Sequence, residues 1–199
     1  MERIEQQFEF IKEIDGLKKI GRQTYLRDAS RKENDAEHSW HLAVMALLLQ
    51  EYANEEVDVL RVISMVLVHD MVELDAGDTY AYDEAGNATK REREVAAAER
   101  IFHILPKDQA VFFRGLWDEF EEAETPEAKF AHTLDNIQPM MLNDATGGKA
   151  WREHQVKLSQ VLNRQKKTAE GSEILWEYAR ENMLAKNVKE GVIIEDCKL

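Results

Sequence analysis

Apolar residues recur along this 199-residue chain at the three- and four-residue spacing that is typical of amphipathic α-helices. The spacing predicts helices that start near Ile4, near Asp35, after Asp58, at about Lys90 and at Thr125-Pro126. The last start is well marked, because threonine is a good cap and proline is favoured at the first helical position. The chain shows no credible run of strands. We therefore expect an all-α fold.

The rest of the pattern predicts three further helices and two loops. A further helix is expected around Val111, Phe112 and Phe120, and two closing helices are expected over 150–186. The connections over 21–34 and 74–87 are predicted to be loops, the first basic and irregular, the second polar and rich in turn residues.

The length and composition predict one domain. With 44% hydrophobic residues and three prolines, the chain can bury one substantial core, and nothing marks a second. We expect a single domain over residues 1–199, with a core over about 11–145, closing helices over 150–186 and a short C-terminal tail.

The charge limits the partners. The chain has 39 acidic residues against 26 lysines and arginines, a formal net charge of −13, which repels nucleic-acid polymers. A small phosphorylated substrate is still compatible with this charge, because a metal ion and a few local cations can reverse the sign of the electrostatic potential inside a pocket.

We expect neither a signal peptide nor a membrane-spanning segment. The single cysteine, Cys197, excludes an internal disulfide framework and favours a reducing cytoplasm.

Ionisable residues interrupt the apolar helix after Asp58. His69 and Asp70 follow directly on an apolar run, and Glu73 comes one turn later. Burying unpaired ionisable groups costs roughly several kcal/mol each, and a bound cation is the simplest compensation. Imidazole and carboxylate together suit a hard or borderline divalent metal. Adjacent side chains on a helix point about 100° apart, so we expect the ion near the helix end and further ligands from other helices.

Other segments offer candidate ligands whose pattern alone leaves two interpretations open. His38 and His41 share one side of the helix that Asp35 is expected to cap, so each is either a metal-site residue or an ordinary hydrogen-bonding histidine. Asp135 flanks a buried stripe, where a surface residue is the commoner interpretation. Arg22, in the basic loop, is equally compatible with solvent exposure and with phosphate recognition.

Four short motifs occur in a fixed order along the chain. They are Glu37-His38-Ser39, His69-Asp70-Met71-Val72-Glu73, Gly77-Asp78 and Leu134-Asp135. This ordered set resembles the signature of the HD-domain metal-dependent phosphohydrolases, and within them it is most similar to the branch that contains the 5'-deoxynucleotidases. The resemblance runs from about Ile11 through the helix of Asp135, and it implies a helical HD-domain bundle.

The resemblance also implies a role for each matching residue. It implies that one divalent cation (Mn, Co, Fe, Mg or Zn) is bound by His38, His69, Asp70 and Asp135. Glu73 matches the catalytic glutamate of the family. The residues implied in substrate binding are Arg22, Tyr25, Asp78 and Thr79, with Asp78 also positioning water during catalysis. The chain departs from the branch at Tyr25, where tryptophan is expected, and in the loop 78–82, and these differences bear on substrate choice.

The implied activity is phosphate release from a nucleoside 5'-monophosphate, with a deoxynucleotide as the expected substrate. Glu73 would move a proton and Arg22 would hold the phosphate. Two alternatives stay open. The site could serve another small phosphate ester or another position in a nucleotide's phosphate chain, or the protein could be a metal-bearing nucleotide sensor without turnover. Apolar and aromatic residues in the late helices, together with the resemblance, predict a homodimer.

Overall fold

A computed structural model describes residues 2–82, 86 and 88–199. The α-helices in the described ranges include α1 (Arg3–Ile14), α2 (Asp35–Leu49), α3 (Val59–Val68), α4 (Glu73–Ala76), α5 (Lys90–Phe102), α6 (Lys107–Glu122) and α7 (Pro126–Ala145). The prediction of an all-α fold is confirmed, with one short hairpin as an exception. No helix in the described ranges is long and apolar enough to cross a membrane.

Side chains at the helix starts explain where α2, α3 and α7 begin. Asp58 caps α3 by accepting from the backbone N–H groups of Leu60 and Arg61, and Thr125 caps α7 by accepting from Ala128. The prediction that Asp35 caps α2 was wrong by one residue. Asn34 is the cap, and it exchanges two hydrogen bonds with Glu37 in a capping box. Asp35 is therefore the first residue of α2, and it is buried.

The prediction of an irregular loop over residues 21–34 was wrong. Two strands, β1 (Gly21–Tyr25) and β2 (Lys32–Asn34), form an antiparallel hairpin in which Gly21 lies opposite Asn34. The strands are short and polar, so neither shows the apolar alternation that predicts a strand from sequence. The hairpin ends directly at α2, and it thereby holds Arg22 and Glu33 beside the first turn of that helix.

The core is formed mainly by α2, α3, α5, α6 and α7. Fully buried apolar side chains include Leu42 on α2, Val66 on α3 and Leu134 on α7. The predicted stripe on α6 was partly wrong, because Val111 and Phe112 are exposed. Leu116, Trp117 and Phe120 are the residues that α6 buries.

The closing region is more broken than predicted. Instead of two helices it contains α8 (Lys149–Glu153), α9 (Leu158–Gln165), α10 (Thr168–Gly171), α11 (Glu173–Ala179), a π-helical turn (Arg180–Leu184) and α12 (Ala185–Lys189). The tail returns to the core, where Ile193 is buried and Ile194 forms a bridge with Lys157. The predicted loop over 74–87 overlaps α4, which begins at Glu73 and ends at Ala76. Residues 83–85 and 87 of that loop lie outside the described residues.

Candidate active site

The segment predicted to hold the metal lies at a helix end, as expected. Helix α3 ends at Val68, a single 3₁₀ turn covers His69–Val72, and α4 begins at Glu73. Met71 and Val72 are buried in the core, which fixes this turn from behind. His69 and Glu73 are thereby held in the wall of a cavity of about 810 Å³.

The surroundings of the two ring nitrogens of His69 suit a bound cation beside Nε2. Its Nδ1 donates to the carbonyl oxygen of Val66 at 2.9 Å, so in the neutral ring Nε2 carries no proton. This Nε2 is buried without a hydrogen-bond partner, 3.1 Å from an Asp70 carboxylate oxygen and 3.8 Å from Asp135. Three acceptors that face one another are unfavourable unless positive charge lies between them.

His38 and Asp135 complete this group from two other helices. His38 is fully buried in the first turn of α2, and its Nε2 lies 3.0 Å from Asp135 Oδ1 and 4.0 Å from Asp70 Oδ2. Ligand atoms of His38, His69 and Asp135 all lie within 4.8 Å of one another. The structure thus brings all four predicted ligands together. Two imidazoles with carboxylates suit a borderline or hard divalent ion.

The buried groups around His38 and Asp135 shift the pKa of both residues. Burial and the charge of Arg22 lower the pKa of His38, but its hydrogen bonds to Asp135 and Glu33 outweigh them and raise it to about 9. Burial opposes ionisation of Asp135, yet the His38 hydrogen bond and the Arg164 charge hold its pKa well below the usual range. A cation bound here would therefore displace a proton from His38.

A second buried group of acids lies beside the first. Carboxylate oxygens of Asp35, Asp70 and Glu73 lie within 4.8 Å of one another, and Asp35 Oδ2 and Glu73 Oε2 are buried without a partner. Burial, followed by the charge of Asp70, raises the pKa of both Glu73 and Asp35. Glu73 can therefore hold a proton near neutral pH.

Arg22 supplies positive charge at this second group. Its Nη1 donates to Asp70 Oδ2 at 2.7 Å and lies 3.5 Å from Asp35 Oδ1. Burial lowers the pKa of Arg22, but the charges of Asp70 and Asp135 outweigh burial and raise it, so the guanidinium stays charged. A cation held in the wall of a buried cavity is suited to bind an anionic substrate.

The other predicted substrate residues are only partly brought together. Asp78 and Thr79 line the cavity, where Thr79 Oγ1 also accepts from Arg93. Tyr25 is not among the described residues that line it. Its hydroxyl donates to Glu153 and its ring lies 3.8 Å below the Lys149 ammonium, which ties the hairpin to α8.

Sequence reasoning missed three residues that contact the predicted ligands. Gln138 Oε1 lies 3.0 Å from His38 Nδ1, Glu33 Oε2 lies 3.5 Å from the same nitrogen, and Arg164 donates to Asp135 Oδ2 at 3.0 Å. Gln138 lies three positions after Asp135 on the same face of α7, and that spacing could have identified it. Glu33 and Arg164 carry no comparable signal. His41, left open above, contacts Gln138 Nε2 through its Nδ1 at 3.2 Å.

The helical fold and the cluster of histidines and carboxylates together are those of an HD domain. The HD domain family model matches residues 14–176, and the chain belongs to that family.

Particular relatives and one solved structure are similar over large parts of the chain. The 5'-deoxynucleotidase HDDC2 of Xenopus laevis is 31% identical over 134 residues, and that of Homo sapiens is 30% identical over 134 residues. These matches cover 67% of this chain but only 65% and 64% of the relatives, slightly less than two thirds of their length. A crystal structure described as a predicted metal-dependent phosphohydrolase from Magnetospirillum magnetotacticum is 48% identical, with a TM-score of 0.91 and 96% of each chain covered.

Proposed function

We propose that this protein is a metal-dependent phosphohydrolase that releases phosphate from (deoxy)nucleoside 5'-monophosphates. The observation that carries the proposal is the Nε2 of His69, which is buried without a hydrogen-bond partner and faces the carboxylates of Asp70 and Asp135 in the cavity that Arg22 also lines. One divalent cation bound by His38, His69, Asp70 and Asp135 satisfies these atoms. The names of the curated relatives and of the solved structure support the same reaction class.

The reaction needs charge for the phosphoryl group and a place for protons. A divalent cation held by His38, His69, Asp70 and Asp135 would supply positive charge for phosphate oxygens and would lower the pKa of a water molecule from 15.7 towards about 7. Arg22, which stays cationic beside Asp70, binds the phosphate. Glu73 moves a proton at its unpartnered Oε2, either from the attacking water or to the leaving oxygen. Asp78, in the same wall, positions substrate and water.

The cavity supports a nucleotide as the substrate. Its volume of about 810 Å³ lies in the range of small-molecule sites. Tyr80 and Tyr82 line it, so aromatic side chains form part of the wall beside which a base would lie. Another small phosphate ester is the second candidate, because the metal site and Arg22 would serve it equally well. A nucleotide sensor without turnover is the third, and a buried Glu73 with a raised pKa favours catalysis over it.

We also propose that residues 1–199 form one HD domain, that the protein acts as a homodimer, and that it works in the cytoplasm. One connected cluster of buried apolar residues supports the single domain. The exposed thiol of Cys197 and the absence of any other cysteine from the sequence support a reducing compartment.

The test is phosphate release from a panel of ribo- and deoxyribonucleoside monophosphates by metal-stripped protein reloaded with Mn, Co, Fe, Mg or Zn. We expect release that requires metal and favours deoxy substrates. Glu73→Gln should reduce kcat by about 10²-fold or more, the usual contribution of a positioned proton-transfer group, while metal binding persists.

Asp75→Asn is the matched control on the same helix, because Asp75 pairs with Arg100 outside the cavity. It should leave kcat unchanged. Folded, metal-loaded protein that releases phosphate from no substrate in the panel would rule out the nucleotidase. Tight nucleotide binding without release would support the sensor instead.

A further inference from the structure

A buried carboxylate and a buried amide lie behind His38, on the side of the ring away from the other metal ligands. Gln138, on α7, is fully buried, and Glu33, on β2, is 2% exposed. His38 Nδ1 lies 3.0 Å from Gln138 Oε1 and 3.5 Å from Glu33. Neither residue contributes to the proposed function described above, so their burial at a polar site calls for a reason.

The partners of Gln138 leave its amide only one orientation. Its Nε2 donates to Glu33 Oε1 at 3.0 Å and lies 3.2 Å from His41 Nδ1. A carboxylate can only accept, so the NH₂ group must face Glu33. The amide oxygen then must face His38.

This orientation fixes the tautomer of His38. An amide oxygen can only accept, so Nδ1 of His38 must carry the proton that it donates to Gln138. In the neutral ring the lone pair is then on Nε2, the nitrogen that lies 3.0 Å from Asp135 and 4.0 Å from Asp70. A flipped amide would place N–H against Nδ1, favour the proton on Nε2 and block that nitrogen as a ligand.

Glu33 also lies next to the other half of the site. Its Oε2 is 3.7 Å from Nε of Arg22, the residue proposed to hold the phosphate. The same carboxylate therefore fixes the orientation of the Gln138 amide and contributes to holding the Arg22 side chain.

We propose that Glu33 and Gln138 are positioning residues that hold His38 in the Nδ1-protonated tautomer and so present its Nε2 to the metal. The proposal rests on the proposed function only in taking His38 as a metal ligand. Residues that hydrogen-bond to a metal-binding histidine, without binding the metal themselves, typically change metal affinity by roughly 10- to 100-fold.

The test compares wild type with Gln138→Met, which keeps the length of the side chain and removes its acceptor and donors. Mn²⁺ affinity is measured from the electron paramagnetic resonance signal of free Mn²⁺. We expect Gln138→Met to weaken binding by about 10- to 100-fold. In the zinc-loaded proteins, long-range proton–nitrogen NMR spectra of the imidazoles should show the proton on His38 Nδ1 in wild type and a loss of that single assignment in the variant.

Glu33→Gln is the conservative variant if Gln138→Met folds poorly. The amide that replaces the Glu33 carboxylate can either accept from or donate to Gln138, so both orientations of the Gln138 amide become accessible, and we expect a smaller loss of affinity. Asn187→Leu is the control for losing a buried amide, because the Asn187 side chain donates to Asp144 and to the Met183 carbonyl, and neither of these residues is a predicted metal ligand. It should lower thermal stability and leave Mn²⁺ affinity unchanged.

The proposal is overturned if Gln138→Met and Glu33→Gln bind Mn²⁺ as tightly as wild type with the same His38 tautomer, or if wild type binds no divalent metal through His38. These outcomes are separate from a failure of the proposed function. A protein that binds Mn²⁺ and loses affinity in Gln138→Met, yet hydrolyses no phosphate ester, would support the positioning role and contradict the enzyme.

Discussion

Asp135 illustrates how single residues in this site depend on neighbours that are distant in the sequence. Its Oδ1 faces His38 Nε2, and its Oδ2 accepts from Nη2 of Arg164 at 3.0 Å. The resemblance to the HD-domain motifs implied His38 and Asp135 as ligands, whereas the residue pattern alone left His38 open and favoured a surface position for Asp135. Neither could predict Arg164, because that contact depends on where α9 returns to α7.

We expect Arg164→Met to weaken divalent-metal binding by about 10-fold, the lower end of the effect of such partners, because 39% of the Arg164 side chain is exposed. The variant leaves Asp135 Oδ2 without its charged donor, so the carboxylate is free to rotate away from His38. Because Arg164 also lines the cavity, KM for a nucleoside monophosphate should rise.

Metal titration and steady-state kinetics check this prediction. Arg152→Met, in the neighbouring helix α8, is the control, because Arg152 is exposed and donates to the Gly147 carbonyl outside the cavity lining. If Arg164→Met binds the metal with the same affinity as wild type, Arg164 does not contribute to the orientation of Asp135, and His38 alone holds this carboxylate.

At the scale of elements, helix starts were predictable and helix breaks were not. Asp58 and Thr125 marked the starts of α3 and α7, because a cap acts within its own first turn. The break between α10 and α11 depends on long-range contacts. Thr133 Oγ1 on α7 donates to the Thr168 carbonyl, and Gly171 lies directly against the Lys129 backbone. The hairpin of Arg22 and Glu33 was missed for the same reason, since its pairing is stabilised by α2 and α7.

The close approach at Gly171 predicts a large cost for one added methyl group. A Cβ at this position would overlap the Lys129 carbonyl and Thr133 Oγ1, so Gly171→Ala must push α10 away from α7. We expect a loss of about 1–3 kcal/mol in the free energy of unfolding, measured by urea denaturation.

Gly115→Ala is the matched control in α6. A Cβ there meets nothing within 4 Å and the residue is exposed, so the substitution should stabilise the protein by about 0.5–1 kcal/mol. Equal stability of Gly171→Ala and wild type would mean that α10 is not fixed against α7.

At the scale of the whole molecule, large apolar residues remain exposed on neighbouring helices. Trp40 and Leu48 on α2 are 65% and 67% exposed, and Leu60 on α3 is 68% exposed. The hydrogen bond from Ser172 Oγ to the Tyr52 carbonyl brings α11, with its exposed Ile174 and Tyr178, to the end of α2. The late helices thus contribute exposed apolar residues, as the sequence predicted. Other large exposed apolar residues lie on α2 and α3, where the sequence analysis did not place them.

Large apolar residues exposed on neighbouring helices are typical of a protein interface, and a second copy of this chain is the occupant that we predict. Leu60→Glu would place a carboxylate in that interface, and burying it unpaired costs roughly several kcal/mol, with a tenfold loss of affinity for about every 1.4 kcal/mol. In sedimentation velocity we therefore expect wild type to behave as a dimer and Leu60→Glu as a monomer at the same concentration. Phe8→Glu, on the separate apolar stripe of α1, should remain a dimer. A monomeric wild type would contradict the homodimer, whereas a monomeric Phe8→Glu with a dimeric Leu60→Glu would move the interface to α1.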